Sequence, residues 1–356
     1  MPRFRAQDLK RLGRDLFATV GVPPSEADLV SGHMVDSGLL GHDSHSVLRF
    51  PQYTEMVRKG QVKPGAELEI LHDRGGVVQV SGGWNFGPVT ATRAAELAIE
   101  RARSHAIVAV TVRDCNHVAR LGRFVDLIAR QGNLIGVLCA NGHGSDLAVA
   151  PYGGRERRLP TNPLAVGIPT RRSWPIVLDM TTSMTSGGAL RDYRNRGSAV
   201  PEGCIIDGHG RLTTDVEDYY GDPPGAMLPL GFPTVGHKGF GLALVVDILA
   251  GALSGGGCSQ ADPPQTGNAL FFTVYDIAAF RGLDGFLGEV DDFIDWLKSC
   301  PPMEGFGEVM LPGENSHRIH EARRREGMEV DDTAWGQIAA LAGELGVNLP
   351  DPVESA

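Results

Sequence analysis

Ten residues between apolar segments, GHDSHSVLRF from Gly41 to Phe50, hold two histidines, an aspartate, two serines and an arginine. Three chemistries can use such a set. His42 and His45 with Asp43 could bind a metal, since imidazole and carboxylate are ordinary zinc ligands, but no third ligand stands out and H-E-x-x-H is absent. A serine nucleophile is disfavoured because no G-x-S-x-G turn occurs, and GHGSD at Gly142 to Asp146 has its residues in the wrong order. The third chemistry is acid/base work. His45 can give or take a proton near neutral pH, while Arg49, one helical turn later, can hold a carboxylate with its planar fork. That pair suits reduction of a 2-oxo acid.

Two further groups stand where chemistry is commonly carried. Asn116 and His117 follow the alternating strand IVAVTVR, and Asn141 closes the strand LIGVLCAN; loops after strand ends are where α/β sheets usually present ligands. The stretch GFPTVGHKG, Gly231 to Gly239, spaces two glycines like a phosphate-binding P-loop. His237 stands where the lysine belongs and no Ser or Thr follows Lys238, so it is not one. A lysine in a glycine-bracketed turn that opens an apolar helix still suits a cofactor phosphate. No G-x-G-x-x-G links a strand to a helix, so a Rossmann dinucleotide site is not indicated.

The elements that must position these residues follow from periodicity. Leu9, Leu12, Leu16 and Val20 share one helical face, ended by Gly21-Val-Pro-Pro; Ser25 begins a second helix carrying Ala27, Val30 and Met34. A third helix is expected from Ser44 or Ser46 to Lys59-Gly60, which would put the histidines at a helix start favourable to anions. From residue 75 the pattern changes to strand VVQV, a long helix through Ala98 to Arg103, strand IVAVTVR, a helix from Ala119 to Arg130, and strand LIGVLCAN. Residues 150 to 260 read as short strands and tight turns ending in one apolar helix. The apolar strand ALFFTVYD, two helical stretches and a closing helix complete the chain.

Bulk properties narrow the class. The chain has 356 residues, 42% of them hydrophobic and 21% charged, an ordinary composition for a globular protein of two or three cooperating domains. Its 33 basic against 43 acidic residues give a net charge of −10, which disfavours a nucleic-acid partner. Five scattered cysteines, never in C-x-x-C, indicate neither a disulfide framework nor a thiolate zinc site. No secretory h-region precedes the first helix, and the most apolar window, Gly239 to Leu253, is too short to span a bilayer and carries Asp247. A cytoplasmic protein with no membrane partner is expected.

Five motifs occur in order: Ser44-His45 with Arg49, VRDCNH at Val112 to His117, TNPLAVGIP at Thr161 to Pro169, VLDMTTS at Val177 to Ser183, and GHKGFGLALVVDILAG at Gly236 to Gly251. Together they resemble the malate/L-lactate dehydrogenase family that lacks a Rossmann fold, which includes ureidoglycolate and sulfolactate dehydrogenases, diketogulonate reductase and piperideine-carboxylate reductases. The resemblance implies a homodimer that uses NAD or NADP to move a hydride to or from a small 2-oxo or 2-hydroxy acid. It implies a mixed α/β (α+β) fold with a non-Rossmann mixed-sheet cofactor domain, a helical N-terminal unit and a closing C-terminal helix. The expected division is 1–72 with 318–356, 73–122 with 285–317, and a cofactor domain at 123–284. By resemblance His45 is the catalytic acid/base, Ser44 assists it, Arg49 grips the substrate carboxylate, and Asn116 and His117 line the same pocket. The family's cofactor contacts fall on Thr161, Asn162, Met180, Thr181, Thr182, Ser183, Met184, Thr185, Ser186, His237, Lys238, Gly313, Glu314 and Asn315; no metal is implied.

The sequence departs from the family's pattern at three places. Ser46 replaces a glycine after the histidine and could narrow the pocket or alter the helix start. Pro160 replaces a glycine before Thr161-Asn162, and Ala189 stands where many relatives have lysine, with Arg191, Arg194 and Arg196 close behind. NAD versus NADP therefore stays open. So do three other readings: a cyclic imino acid reductase, a metal-dependent hydrolase or lyase on His42 and His45, and an inactive binding homologue.

Overall fold

The computed structural model describes residues 1–142, 147–263 and 265–353. After the short strand β1 (Arg3–Phe4), helix α1 (Ala6–Thr19) buries Leu9, Leu12, Leu16 and Phe17 against α2 (Pro24–Leu39). Gly21, at φ +81°, makes the turn between them.

The third helix does not start at Ser44 or Ser46. Asp43–His45 and Val47–Arg49 are two single 3-10 turns separated by extended Ser46, and α3 (Phe50–Arg58) follows. Pro51 supplies the reason: a proline has no N–H and clashes with the preceding helical turn, so a helix can only begin within about one turn of it. The histidines are thus presented from a tight turn and not from a helix face.

A seven-stranded mixed sheet forms the centre. In chain order its strands are β2 (Glu69–Asp73), β3 (Val77–Ser81), β4 (Ile107–Cys115), β5 (Leu134–Asn141), β6 (Leu164–Ile168), β7 (Ile176–Met180) and, much later, β11 (Asn268–Asp276). The spatial order is β2-β3-β4-β11-β5-β6-β7, and only β3 and β4 run parallel. The parallel pair is joined by α4 (Gly87–Ala102), whose Ala91, Ala94, Ala95 and Ala98 pack on Val108 and Val110 of the sheet. Helix α5 (Gly122–Ala129) covers the next part of the same face with Phe124, Val125 and Ile128. It is shorter than the expected 119–130 because Ala119 sits at φ 59°, outside the helical region.

Helix α6 (Gly187–Arg196), the small sheet of β8 (Ile205–Ile206), β9 (Leu212–Thr213) and β10 (Ala226–Met227), α7 (Val216–Tyr220) and α8 (Gly236–Asp247) share a separate core around Leu190, Ile205, Met227 and Ala243. Helices α9 (Leu283–Lys298) and α10 (Glu314–Glu326) follow β11. Strand β12 (Met328–Glu329) then pairs antiparallel with β1, and α11 (Asp332–Leu345) buries Ile338 and Ala342 in the core of α1 and α2. Both ends of the chain therefore close on the unit that carries His45.

Candidate active site

The two chemical stretches meet. Ser44 Oγ lies 2.9 Å from His45 Nδ1, which fixes the ring against its own turn. Arg49 is buried; its Nε donates to the Ser44 carbonyl at 2.8 Å and its Nη1 to Gln52 Oε1. From the end of β4, Asn116 donates its amide to the carbonyls of Gln61, Trp84 and Asn85 at 3.2, 2.7 and 3.1 Å. That amide is spent on holding backbone, and the next residue, His117, is thereby aimed at His45. The two imidazoles stack with centroids 5.9 Å apart and planes 10° from parallel.

Tyr53 of α3 secures His117. Its hydroxyl donates to the His117 carbonyl at 2.9 Å and lies 2.8 Å from His117 Nδ1. A hydroxyl has one proton, so once it is given to the carbonyl the ring must donate through Nδ1–H, leaving Nε2 as an acceptor.

Opposite this wall stand the end of β7 and the start of α6. Asp179 Oδ2 accepts the Gly122 amide at 2.8 Å and lies 3.9 Å from Arg120 Nη1. Ser186 caps α6, its Oγ accepting from the Ala189 amide at 3.2 Å. Gly188 lets the two walls touch, because a Cβ there would fall 2.4 Å from Ser44 Cβ.

Between the walls lies a cavity of about 890 Å³. His45, Arg49 and His117 border it on one side, Asp179, Thr181 and Ser186 on the other. Its charge is strongly positive, with Lys59, Arg49, Arg120 and Arg191 facing the carboxylates of Glu55 and Asp179. Burial and then the nearby cations Arg49, Arg191 and Arg120, with His42, hold His45 down to about 3. Burial followed by Arg49 pushes His117 well below the usual imidazole range, and burial followed by Arg120 does the same to His33. Both facing imidazoles are neutral at pH 7, in a site poised to accept anions.

The other expected site residues divide. Thr161, Met180, Thr181 and Ser186 border the cavity. Asn162 is fully buried, and its amide is bound to Ala243 O and Asp247 Oδ2, each at 2.9 Å. Asn141 is held by the same Asp247 at 3.1 Å. Thr182 and Ser183 are buried in backbone contacts, Thr182 Oγ1 reaching Thr161 O at 3.0 Å and Ser183 Oγ reaching Thr185 O at 2.6 Å. Met184 packs against Leu228. His237 and Lys238 are exposed on the first turn of α8, away from the cavity lining. Glu314 is tied to Lys298 and Arg318 at the start of α10; like its neighbours Gly313 and Asn315, it does not border the cavity. Residues 143–146 of GHGSD lie outside the described residues.

One of the departures is also placed. Ser46 is buried with its Oγ against Gly38 and does not border the cavity; of the two effects considered for it, narrowing the pocket is not seen, and it sits as extended backbone between the two turns that precede α3. Asp43, the carboxylate that a metal reading needs, is held by Arg323 of α10. Among the described residues no three His, Cys, Asp or Glu groups converge to hold a metal. Sequence reasoning missed Tyr53, Arg120 and Gly188. The first looked like a core aromatic, Arg120 fell inside the helix expected at 119–130, and Gly188 lay in a stretch read as short strands and tight turns.

The cavity is thus cation-rich and bordered by two imidazoles and the buried guanidinium of Arg49. Comparison with known proteins gives the class. The sequence model of malate/L-lactate dehydrogenase matches residues 4–339. The chain is 34% identical to the L-sulfolactate dehydrogenase of Methanothermobacter thermautotrophicus, over 98% of each chain. It is also 34% identical to the L-lactate dehydrogenase of Cupriavidus necator, over 96% of this chain and 97% of that one. Among solved structures, a putative malate/lactate dehydrogenase from E. coli superposes with a TM-score of 0.89 at 30% identity, over 97% of this chain and 96% of that one. The delta1-piperideine-2-carboxylate reductase of Pseudomonas syringae pvar. tomato gives 0.82 at 27%, over 96% and 100%. The chain belongs to the malate/L-lactate dehydrogenase family and is an oxidoreductase acting on hydroxy acids.

Proposed function

We propose that the protein interconverts a small 2-hydroxy acid and its 2-oxo acid with a nicotinamide dinucleotide, His45 exchanging the hydroxyl proton and Arg49 binding the C1 carboxylate. The observation that carries this reading is the placement of His45, held by Ser44, and Arg49 on one wall of a cavity that His117 also borders.

The residues present fit the cofactor. Thr161, Thr181 and Ser186 offer hydroxyls along the opposite wall, and Gly187 borders the cavity without a side chain. Asn162, Thr182 and Ser183 would support that wall from behind. Bound there, the dinucleotide supplies the two-electron acceptor or donor for the C2 hydrogen. Among three nearby arginines, Arg194 is paired with Glu217 and Arg196 with Asp192, while Arg191 borders the cavity. Arg191 is therefore our candidate for a ribose phosphate contact, and NADP should bind at least as well as NAD.

In oxidation, neutral His45 takes the substrate hydroxyl proton at Nε2, its Nδ1 being engaged by Ser44. In reduction the same ring must arrive protonated, and the incoming carboxylate, by offsetting Arg49, raises its affinity for that proton. His117, anchored by Tyr53, offers an acceptor to the same hydroxyl. Held between the two walls, the substrate would meet these groups in a fixed orientation.

The test is NAD(P)H absorbance with both cofactors against 2-oxo acids, ureidoglycolate and cyclic imino acids. Turnover of 2-oxo acids is expected; turnover of cyclic imino acids alone would replace the reading with an imino acid reductase. The piperideine-carboxylate reductase likeness favours that second reading. In it no alkoxide forms, so loss of His45 would be tolerated.

A homodimer is proposed as well. Leu244, Val245, Ile248 and Leu253 stand exposed along one stretch from α8 onward, an apolar strip suited to cover by a second copy. No helix among the described residues is long and apolar enough to cross a membrane.

A further inference from the structure

The loop that carries His117 runs from the end of β4 to the start of α5, and side chains from other elements hold its backbone. The Val118 amide donates to Asn268 Oδ1 of β11 at 2.9 Å, and the Gly122 amide to Asp179 Oδ2 of β7 at 2.8 Å. Between them stands Ala119 at φ 59°, and the Arg120 amide that follows meets no backbone carbonyl among the described residues. His33 of α2 takes it instead, its Nε2 lying 3.3 Å from the Arg120 nitrogen.

This third acceptor differs from the other two. Asn268 and Asp179 border the cavity, whereas His33 is buried behind the loop, its ring packed on Phe124 of α5 with centroids 5.3 Å apart. A backbone N–H only donates, so Nε2 accepts and the single proton of the neutral ring sits on Nδ1, which is buried with no partner among the described residues. Burial and then Arg120 hold this imidazole well below its usual range, which keeps it a neutral acceptor at pH 7. A leucine would fill the same space beside Phe124 without an orphaned N–H. What leucine lacks is an acceptor for the loop. The helix that supplies the acceptor, α2, leads directly into the turn of His45. The ion pair of Arg123 with Asp36, at 2.8 Å, also joins α2 to α5, but it stands out in solvent where such pairs hold little.

We propose that His33 is a positioning residue for the reaction: by accepting the Arg120 amide it fixes the loop of His117 against the helix that leads into His45, and so sets the spacing of the two imidazoles in the cavity. It touches neither substrate nor cofactor. The proposal rests on the hydroxy acid reading above for its kinetic arm only.

The experiment compares the wild type with His33→Leu, which keeps an apolar body and removes the acceptor, and His33→Gln, whose amide oxygen can reach where Nε2 stood. Two quantities are read: hydrogen exchange at the Arg120 amide, and kcat and cofactor KM with 2-oxo acids. In the wild type the amide should exchange as slowly as those of β4. His33→Leu should expose it to fast exchange and lower kcat by about tenfold to a hundredfold, the range for a small misplacement of catalytic groups, with cofactor KM unaltered. His33→Gln should recover slow exchange and most of kcat. Wild-type kcat in His33→Leu overturns the proposal. So does an equal loss in both variants, which would assign His33 to packing, or a loss expressed only in cofactor KM, which would assign it to the opposite wall. Should neither variant fold by circular dichroism, exchange in the wild type decides: an Arg120 amide as fast as an exposed loop overturns the proposal, and one as slow as β4 supports it. If no 2-oxo acid is turned over, the hydroxy acid reading falls, while the exchange of the three proteins still decides whether His33 holds the loop.

Discussion

His45 and His117 stack at 5.9 Å with their planes 10° apart, one ring carried by a turn after α2 and the other by the loop after β4. Each has a different anchor, Ser44 for the first and Tyr53 for the second. The orientations of the two imidazoles are therefore set independently.

His45→Asn should lower kcat by about a hundredfold or more, the usual worth of a positioned acid/base group. Cofactor affinity, read by quenching of NAD(P)H fluorescence, should hold. An unaltered kcat would remove His45 from the proton transfer.

Arg49→Lys should raise KM for 2-oxo acids by about tenfold or more while changing kcat less, because an ammonium cannot reproduce the planar fork. The substitution also releases the Ser44 carbonyl and Gln52. Steady-state kinetics with an unchanged KM would put the carboxylate clamp elsewhere.

Tyr53→Phe removes one hydroxyl from a fully buried ring and leaves the His117 carbonyl and Nδ1 without it. A stability loss of about 1–3 kcal/mol is expected for the orphaned groups. The accompanying fall in kcat, measured at a temperature where the variant is folded, reports the value of fixing His117. Wild-type kcat in Tyr53→Phe would mean that His117 needs no anchor.

Gly188→Ala places a methyl group 2.4 Å from Ser44 Cβ and 2.8 Å from its Oγ. The two walls must part, so Ser44 loses its alignment with His45. We expect kcat to fall by more than tenfold, since small misplacements of catalytic groups are costly, with little change in far-ultraviolet circular dichroism. Full activity would show that the walls separate without consequence.

The depressed His45 makes two pH predictions. Its proton affinity is about 3 in the folded protein against 6.5 unfolded, so between these values the unfolded chain binds more protons. Stability is therefore complete above about pH 6.5 and declines as pH falls, by about 1.4 kcal/mol per pH unit for such a group. His33 and His117 shift in the same direction and steepen the decline. Urea unfolding from pH 7.5 to 5 should show it, more weakly in His45→Asn. In kinetics, reduction needs the protonated ring of the free enzyme, so its kcat/KM should fall about tenfold per pH unit from 5 to 8. Oxidation, which uses the neutral ring, should be nearly level over that range; a plateau for reduction would contradict the depressed affinity.

Much of the site was legible in residue types and spacing. His45, Arg49 and His117 are groups with evident chemistry at element ends, and all three border the cavity. Asn116 was legible as a neighbour but works by holding three carbonyls, a role visible only once Gln61, Trp84 and Asn85 are brought to it. His237 and Lys238 had comparable local signals and lie exposed on α8. Local pattern reports what a side chain can do, while distance to the reacting atoms depends on how separate elements pack.

The amino-acid order alone determined the helical periodicities, the strand runs, the absence of a Rossmann glycine turn and the imidazole and guanidinium pair near residue 45. Only the tertiary structure decided that Pro51 holds those residues in turns, that Ser46 turns toward Gly38, that Gly188 touches Ser44, and that Arg120 is buried facing the same cavity. Periodicity is a property of neighbours along the chain. Burial and charge environment are sums over residues that the chain keeps far apart until it folds.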